Sequence, residues 1–195
     1  MRWDLVGLGA AALVLIGGAL LRTPTDGLLQ FTVDGSRAYG NGVTTGDSQA
    51  SVRRLVADHP QVDTLVLQAM PGTKDVTSNY RLARSIRRAG LDTHLEADSR
   101  IASGAVDLFL AGETRTAECG AMIGVHSWGS TGYDAQDVSF DPHRAMSRRF
   151  IEDMGVDPDF YDFRTEAAGS DEIHWMSVEE INRWGLTTEP MVCGG

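Results

Sequence analysis

The sequence predicts one α/β domain built on parallel strands, and three observations lead there. Short apolar runs alternate with helical patterns from about residue 26 onward, as in strand–crossover–strand units. The run DTLVLQAM (63–70) is almost continuously apolar, as a parallel strand covered on both faces must be. The chain has 195 residues, 42% of them hydrophobic, with 22 glycines, enough for one sizeable core.

Taken in order, LLQFTVDG (28–35) reads as a strand ending in a turn, and AYGNGVTTGD (38–47) as a loop or bulged strand edge. SQASVRRLVADHP (48–60) reads as a helix begun by Asp47 or Ser48, with Val52, Leu55 and Val56 on one side and a stop before Pro60. The 63–70 strand leads through PGTKD into an amphipathic helix, VTSNYRLARSIRRAG (76–90), closed by Gly90. LDTHLEAD (91–98) alternates like a strand, a helix follows over about 103–111, and after a turn at Gly112 a strand spans about 121–126. Crossovers in such a series are nearly always right-handed, so the expected arrangement is a wound parallel sheet.

The remaining segments are less regular. GSTGYDAQDVS (129–139) is polar and glycine-containing, a mobile loop by composition. DPHRAMSRRFIEDMG (141–155) reads as a helix begun by Asp141 with Pro142 in its first turn. The stretch 157–176 is acidic and aromatic. MSVEEINRWGL (176–186) is a short helix in which Ser177 and Glu180 have capping-box spacing, and the last residues read as a loose tail.

Ahead of the domain, VGLGAAALVLIGGALL (6–21) has no charge and lies between Arg2 and Asp4 on one side and Arg22 on the other. Its length is just under the roughly 17 to 25 residues of a membrane span, so an anchor, a cleaved signal peptide and a buried helix are all open. An uncleaved signal anchor is favoured, because no clean A-x-A site precedes the polar region. Arg2 and the amino terminus would stay cytoplasmic and the body would be exported, to the periplasmic side in a bacterium. The expected organisation is an anchor with a short linker over 1–27 and an α/β domain over 28–195.

A formal charge of −10 argues against sequence-independent nucleic-acid binding, which needs a basic face. Arg81, Arg84, Arg87 and Arg88 share one side of a predicted helix, read as a solvated face. Cys119 and Cys193 are the only cysteines. Without CxxC spacing they suggest neither a redox motif nor a zinc site, and a disulfide and two separate thiols are both open.

A serine nucleophile needs a base, a group to hold the base and donors for the oxyanion. Ser103 stands where an extended segment becomes a helix, so its own N–H and that of Gly104 would face a positive helix end. His126 ends a predicted strand, where ligands meet open α/β sheets. The Met70-Pro71-Gly72-Thr73 turn follows a buried strand and offers the Gly72 and Thr73 N–H groups.

These residues resemble the ClpP/crotonase superfamily, and within it the exported or membrane-associated ClpP-like serine proteases. LVLQAMPGTKDV looks like the family's strand and Ser-Pro-Gly-Gly turn, with Thr73 replacing the second glycine. IASGAVDLFLAGETR looks like the helix start bearing the nucleophile, MIGVHSWG like the strand ending in the base, and HWMSVEEINRWGL like the closing helix. The resemblance covers about residues 28–186. It implies a repeated β-α-β spiral with Ser103 as nucleophile, His126 as general base, and the Gly72 and Gly104 N–H groups as the oxyanion site. The family's acidic position falls near Ile173, so the third triad member is taken as Asp171, with Glu172 and Asp162 as alternatives and a bare Ser-His dyad as another.

The expected function is hydrolysis of peptide bonds in a peptide or protein substrate, with homo-oligomerisation implied by the family and no cofactor or metal indicated. A catalytically inactive binding or assembly module on the same fold is a second reading, motivated by Thr73 and the unassigned acid. A crotonase-type acyl-CoA enzyme is a third, for which no convincing carboxylate pair follows either turn.

Overall fold

The computed structural model describes residues 27–130, 133–135, 141 and 143–194. The apolar segment 6–21 lies outside these residues, as does the helix expected there. Among the described residues no helix is long and apolar enough to cross a membrane.

The chain opens with a hairpin, β1 (Gln30–Asp34) against β2 (Arg37–Asn41), turning at Gly35 with φ 58°. The segment 38–47, read as a loop or bulged strand edge, therefore begins as a strand, and an interior one. Its inner face carries only small residues, Ala38 and Gly40, and a Cβ on Gly40 would meet the Phe31 ring at 3.1 Å. Hydrophobic bulk, the usual sign of a buried strand, is therefore missing from its sequence.

Helix α1 (Ser48–Asp58) follows, and then the apolar run 63–70 divides into β3 (Thr64–Leu67) and β4 (Ala69–Met70). The same division recurs twice. Helix α2 (Val76–Arg88) leads to β5 (Asp92–Leu95) and β6 (Arg100–Ala102), and helix α3 (Gly104–Leu110) to β7 (Arg115–Ala117) and β8 (Met122–Val125).

The first strand of each pair joins a five-stranded sheet ordered β1-β2-β3-β5-β7, parallel from β2 onward. The second joins a four-stranded sheet in which β4, β6 and β8 run parallel. The expected single wound sheet is thus a spiral carrying two sheets. The chain changes sheet at Gln68, whose N–H donates to Gly40 O at 3.0 Å and whose carbonyl accepts from Arg100 N at 2.7 Å. Its amide side chain accepts from Asn41 at 2.8 Å and donates to Glu96 at 3.2 Å, joining successive turns of the spiral.

All of α3 is buried, apolar except for Asp107, and it lies in the core with Leu82, Ile86, Leu95 and Ile101. After β8 come a short hairpin, β9 (Gly129–Ser130) with β10 (Tyr133–Asp134), and helix α4 (Arg144–Asp153). Asp141 does not cap α4 directly: its carboxylate accepts the His143 N–H at 2.8 Å and the helix begins at Arg144. The acidic and aromatic stretch holds helix α5 (Phe160–Glu166) and strand β11 (His174–Trp175), antiparallel to β8. Helix α6 (Val178–Arg183) has the full capping box of Ser177 and Glu180.

Two expectations are corrected here. The end of the chain is not loose: Cys119 and Cys193 form a disulfide, the Asn182 side chain makes paired bonds to the Met191 backbone at 2.7 and 2.9 Å, and Thr188 N donates to Arg115 O at 3.0 Å. Nor is the arginine strip wholly solvated. Arg87 donates to the Leu110 and Met154 carbonyls, tying the ends of α2, α3 and α4, and Arg84 pairs with Asp153 at 2.7 Å.

Candidate functional site

The strand β6 turns into helix α3 at Ser103, the one non-glycine residue with positive φ among the described residues, at φ 56° and ψ −129°. Side chains rarely adopt this conformation, which costs of order 1–3 kcal/mol. A serine held on such a sharp strand-to-helix corner presents its Oγ outward, the geometry of a nucleophile elbow. The residues on either side are Ala102 and Gly104, which leave room for the bend.

The Met70-Pro71-Gly72-Thr73 turn closes over this corner. Gly72 has φ 142°, and a Cβ on it would lie 2.9 Å from Ser103 Cβ. A Cβ on Gly104 would lie 2.4 Å from Thr73 Cγ2. Both glycines are therefore dictated by contact between the turn and the helix start. Neither the Gly72 nor the Gly104 N–H is bonded to another described residue. The Ser103 N–H, expected to share this role, instead donates to Gly124 O at 3.0 Å; continuation of the β6–β8 ladder consumes it.

Two buried residues, Thr44 and Asn79, hold these pieces together. Thr44 N donates to Gly72 O at 3.1 Å, and Thr44 O accepts from Lys74 N at 3.0 Å, which fixes the turn. Asn79 accepts from Thr44 Oγ1 at 2.9 Å and donates to Gly104 O at 2.8 Å and to Asp107 Oδ2 at 3.1 Å. The turn and the helix start are thus linked through one side chain.

His126 follows β8 and lines the same pocket as Ser103, Gly104 and Thr73. Its pKa is pushed below the usual histidine value of 6.5, first by burial; the charge of Arg164 acts the same way and that of Asp134 against it. Among the described residues, the buried Nδ1 atom has no hydrogen-bond partner. Asp171, the residue chosen to orient it, is exposed in the loop between α5 and β11 and is not hydrogen-bonded to His126. Glu172 is exposed too, and Asp162 is engaged by Arg144 and Arg148, each at 2.6 Å. The register explains this. The β8–β11 ladder ends with His174 paired to Val125, so the residue that adjoins its end on the side of His126 is Ile173, which carries no acid.

Sequence reading did not find the polar groups beneath the pocket. Asp107 and Arg164 form a buried ion pair at 2.8 Å, and Arg164 also donates to the Tyr80 hydroxyl at 3.1 Å. Burial pushes the Asp107 carboxyl above its ordinary range. Arg164 remains charged despite its own burial, supported by Tyr80 and Asp107. A lone carboxylate inside the apolar GAVDLFL helix was the available signal. Trp128 and His143, packed edge to face at 4.8 Å, complete the rim. Among the described residues no group of three or more His, Cys, Asp or Glu is placed to hold a metal ion.

The fold is shared with solved structures. A membrane-bound stomatin-specific protease, 1510-N, in complex with a substrate peptide, superposes with TM-score 0.50 at 12% identity, over 80% of this chain and 75% of that one. A second mutant of that protease gives TM-score 0.51 at 11% identity, over 80% and 79%. The chain has the ClpP/crotonase fold. An enoyl-CoA hydratase/isomerase family protein from Hyphomonas neptunium shares it, with TM-score 0.50 at 15% identity over 86% of this chain and 69% of that one. No family model and no curated protein matches the sequence. These structural neighbours include a protease with a bound substrate peptide and an enoyl-CoA hydratase/isomerase family protein, so the shared fold alone does not set a chemistry.

Proposed function

We propose that the chain is a serine peptidase acting through Ser103 and His126. The observation that carries this reading is the positive φ of Ser103 at the β6–α3 corner, a strain with a purpose if Oγ must be presented to substrate. Ser103 Oγ attacks the peptide carbonyl while His126 takes its proton, and the Gly72 and Gly104 N–H groups receive the developing oxyanion. His126 then protonates the leaving amine. Water attacks the acyl-enzyme, returning a proton to Ser103 through His126, and the acid is released. Burial suits His126 to this work, since it favours the neutral ring that accepts a proton.

The protease neighbour with a bound substrate peptide supports a peptide as substrate. The paired glycine N–H groups would equally hold a thioester enolate, as acyl-CoA chemistry requires. That reading is not favoured, because the carboxylate in the pocket lining among the described residues is Asp107, which is committed to Arg164. Export of the body by the 6–21 segment belongs to the same proposal. The Cys119–Cys193 disulfide supports it, as such bonds persist in oxidising compartments.

A fluorophosphonate label tests the function directly. Wild type labels covalently and Ser103→Ala does not; equal labelling of the two, or none of either with no peptide cleavage, overturns it.

A further inference from the structure

We infer that the pocket beside Ser103 receives the side chain on the acyl side of the scissile bond and selects a small residue bearing a hydroxyl, threonine or serine. The inference rests on the peptidase reading and concerns only its substrate.

The first argument is size. The pocket is lined by Ser103 and Gly104 and has about 50 Å³ of room for water-sized atoms. At about 10–15 Å³ for each such position, that is roughly three to five atoms' worth. A threonine or valine side chain fits, and a phenyl ring does not. The apolar walls are Val76, Val106 and Trp128, which a methyl group can touch.

The second argument is the direction of the hydrogen bonds at the pocket's polar wall. Arg164 Nη2 donates to the Tyr80 hydroxyl at 3.1 Å, and that hydroxyl donates to Ser147 Oγ at 2.8 Å. Burial and the neighbouring Asp107 raise the Tyr80 pKa, so the proton stays in place. Each proton points the same way, and the series ends with the proton of Ser147 itself. That proton has no acceptor among the described residues, and Ser147 is only 2% exposed. A buried donor without an acceptor is unfavourable, and a hydroxyl on the substrate supplies the acceptor. Valine would fill the same space and leave the donor unmet.

The same geometry selects against charge. An acidic side chain would bring a carboxylate beside Asp107, and a basic one would meet Arg164. A neutral hydroxyl satisfies the wall without adding a buried charge.

The test uses the full chain and peptides identical except for threonine, serine, valine, alanine or phenylalanine before the cleaved bond. The expected kcat/KM for threonine exceeds that for valine by about tenfold or more, with phenylalanine poorest. In Ser147→Ala the threonine-to-valine ratio falls to about one. A best rate with phenylalanine, a ratio near one in wild type, or a ratio that survives Ser147→Ala overturns the inference while leaving the peptidase intact. Failure of Ser103-dependent labelling and of all cleavage overturns the peptidase reading and this inference with it.

Discussion

Gly72 sits so close over Ser103 that a Cβ added to it would approach the Ser103 Cβ to 2.9 Å, inside any normal carbon contact. The contact joins the oxyanion turn to the nucleophile, so a change in either moves the other. Gly72 also has φ 142°, which a side chain rarely tolerates.

The Gly72→Ala variant is expected to lose about 1–3 kcal/mol of stability from overpacking and backbone strain. Its turnover should fall further than stability explains, by roughly 10²–10³, as when one oxyanion donor is displaced. Denaturant melts beside kcat on a peptide ester separate the two effects. Full turnover in a folded Gly72→Ala protein would remove Gly72 from the oxyanion site.

The acid beside the base is the next test. Ile173 directly precedes β11, on the side of the ladder toward His126, and is 38% exposed, so a polar replacement there is tolerable. Ile173→Asp should place a carboxylate near His126 Nδ1, which has no partner among the described residues. A carboxylate beside an imidazole favours the protonated ring, so the acid limb of kcat/KM should move to higher pH and turnover should rise. Asp171→Asn should change neither, because Asp171 is exposed and does not bond His126. A strong loss in Asp171→Asn would restore Asp171 as the third catalytic residue.

The legible parts of the sequence were those where one local rule decides. The capping box of α6, the helix α2 with Asp75 accepting from Ser78 N at 3.0 Å, and the strand-to-helix corner at Ser103 all follow from neighbouring residues. The division of 63–70 between two sheets was not legible, because an apolar run looks the same whether or not the chain turns at Gln68. Strand β2 was hidden by its small residues. The third triad member is a different case: the family's acidic position falls near Ile173, carboxylates are common on either side of it, and no local rule says which of them, if any, bonds His126. The Arg164–Tyr80–Ser147 wall joins α5, α2 and α4, residues whose proximity no local pattern encodes.

The pH profile follows from the burial of His126. Its pKa lies below 6.5, with burial the largest cause. The neutral, proton-accepting ring therefore persists to lower pH than in an exposed histidine, and the acid limb of kcat/KM should fall below pH 6.5. The unfolded chain binds a proton here at a pH where the folded chain does not. The His126 contribution to stability is thus fully present above pH 6.5 and declines as pH falls toward the folded value. Asp134, whose charge favours the protonated ring, can be tested by Asp134→Asn. The limb should shift further down, and an upward shift would assign Asp134 no such influence.

The disulfide makes a prediction independent of the site. Cys119 and Cys193 are 74 positions apart, and in the chain-entropy account a closed loop of that length constrains the unfolded state by about 4 kcal/mol. Neither cysteine lines the pocket of Ser103 and His126. The Cys119→Ser, Cys193→Ser double variant should therefore melt about 8–16 °C lower while keeping its fluorophosphonate labelling rate at temperatures where it stays folded. The Asn182–Met191 and Arg115–Thr188 bonds hold the tail from the folded side and remain in the reduced protein, so the loss should appear in the melt rather than in the site. A variant that melts like wild type would show that these bonds, and not the covalent link, fix the tail; a folded variant that labels slowly would mean the tail supports the spiral as far as Ser103.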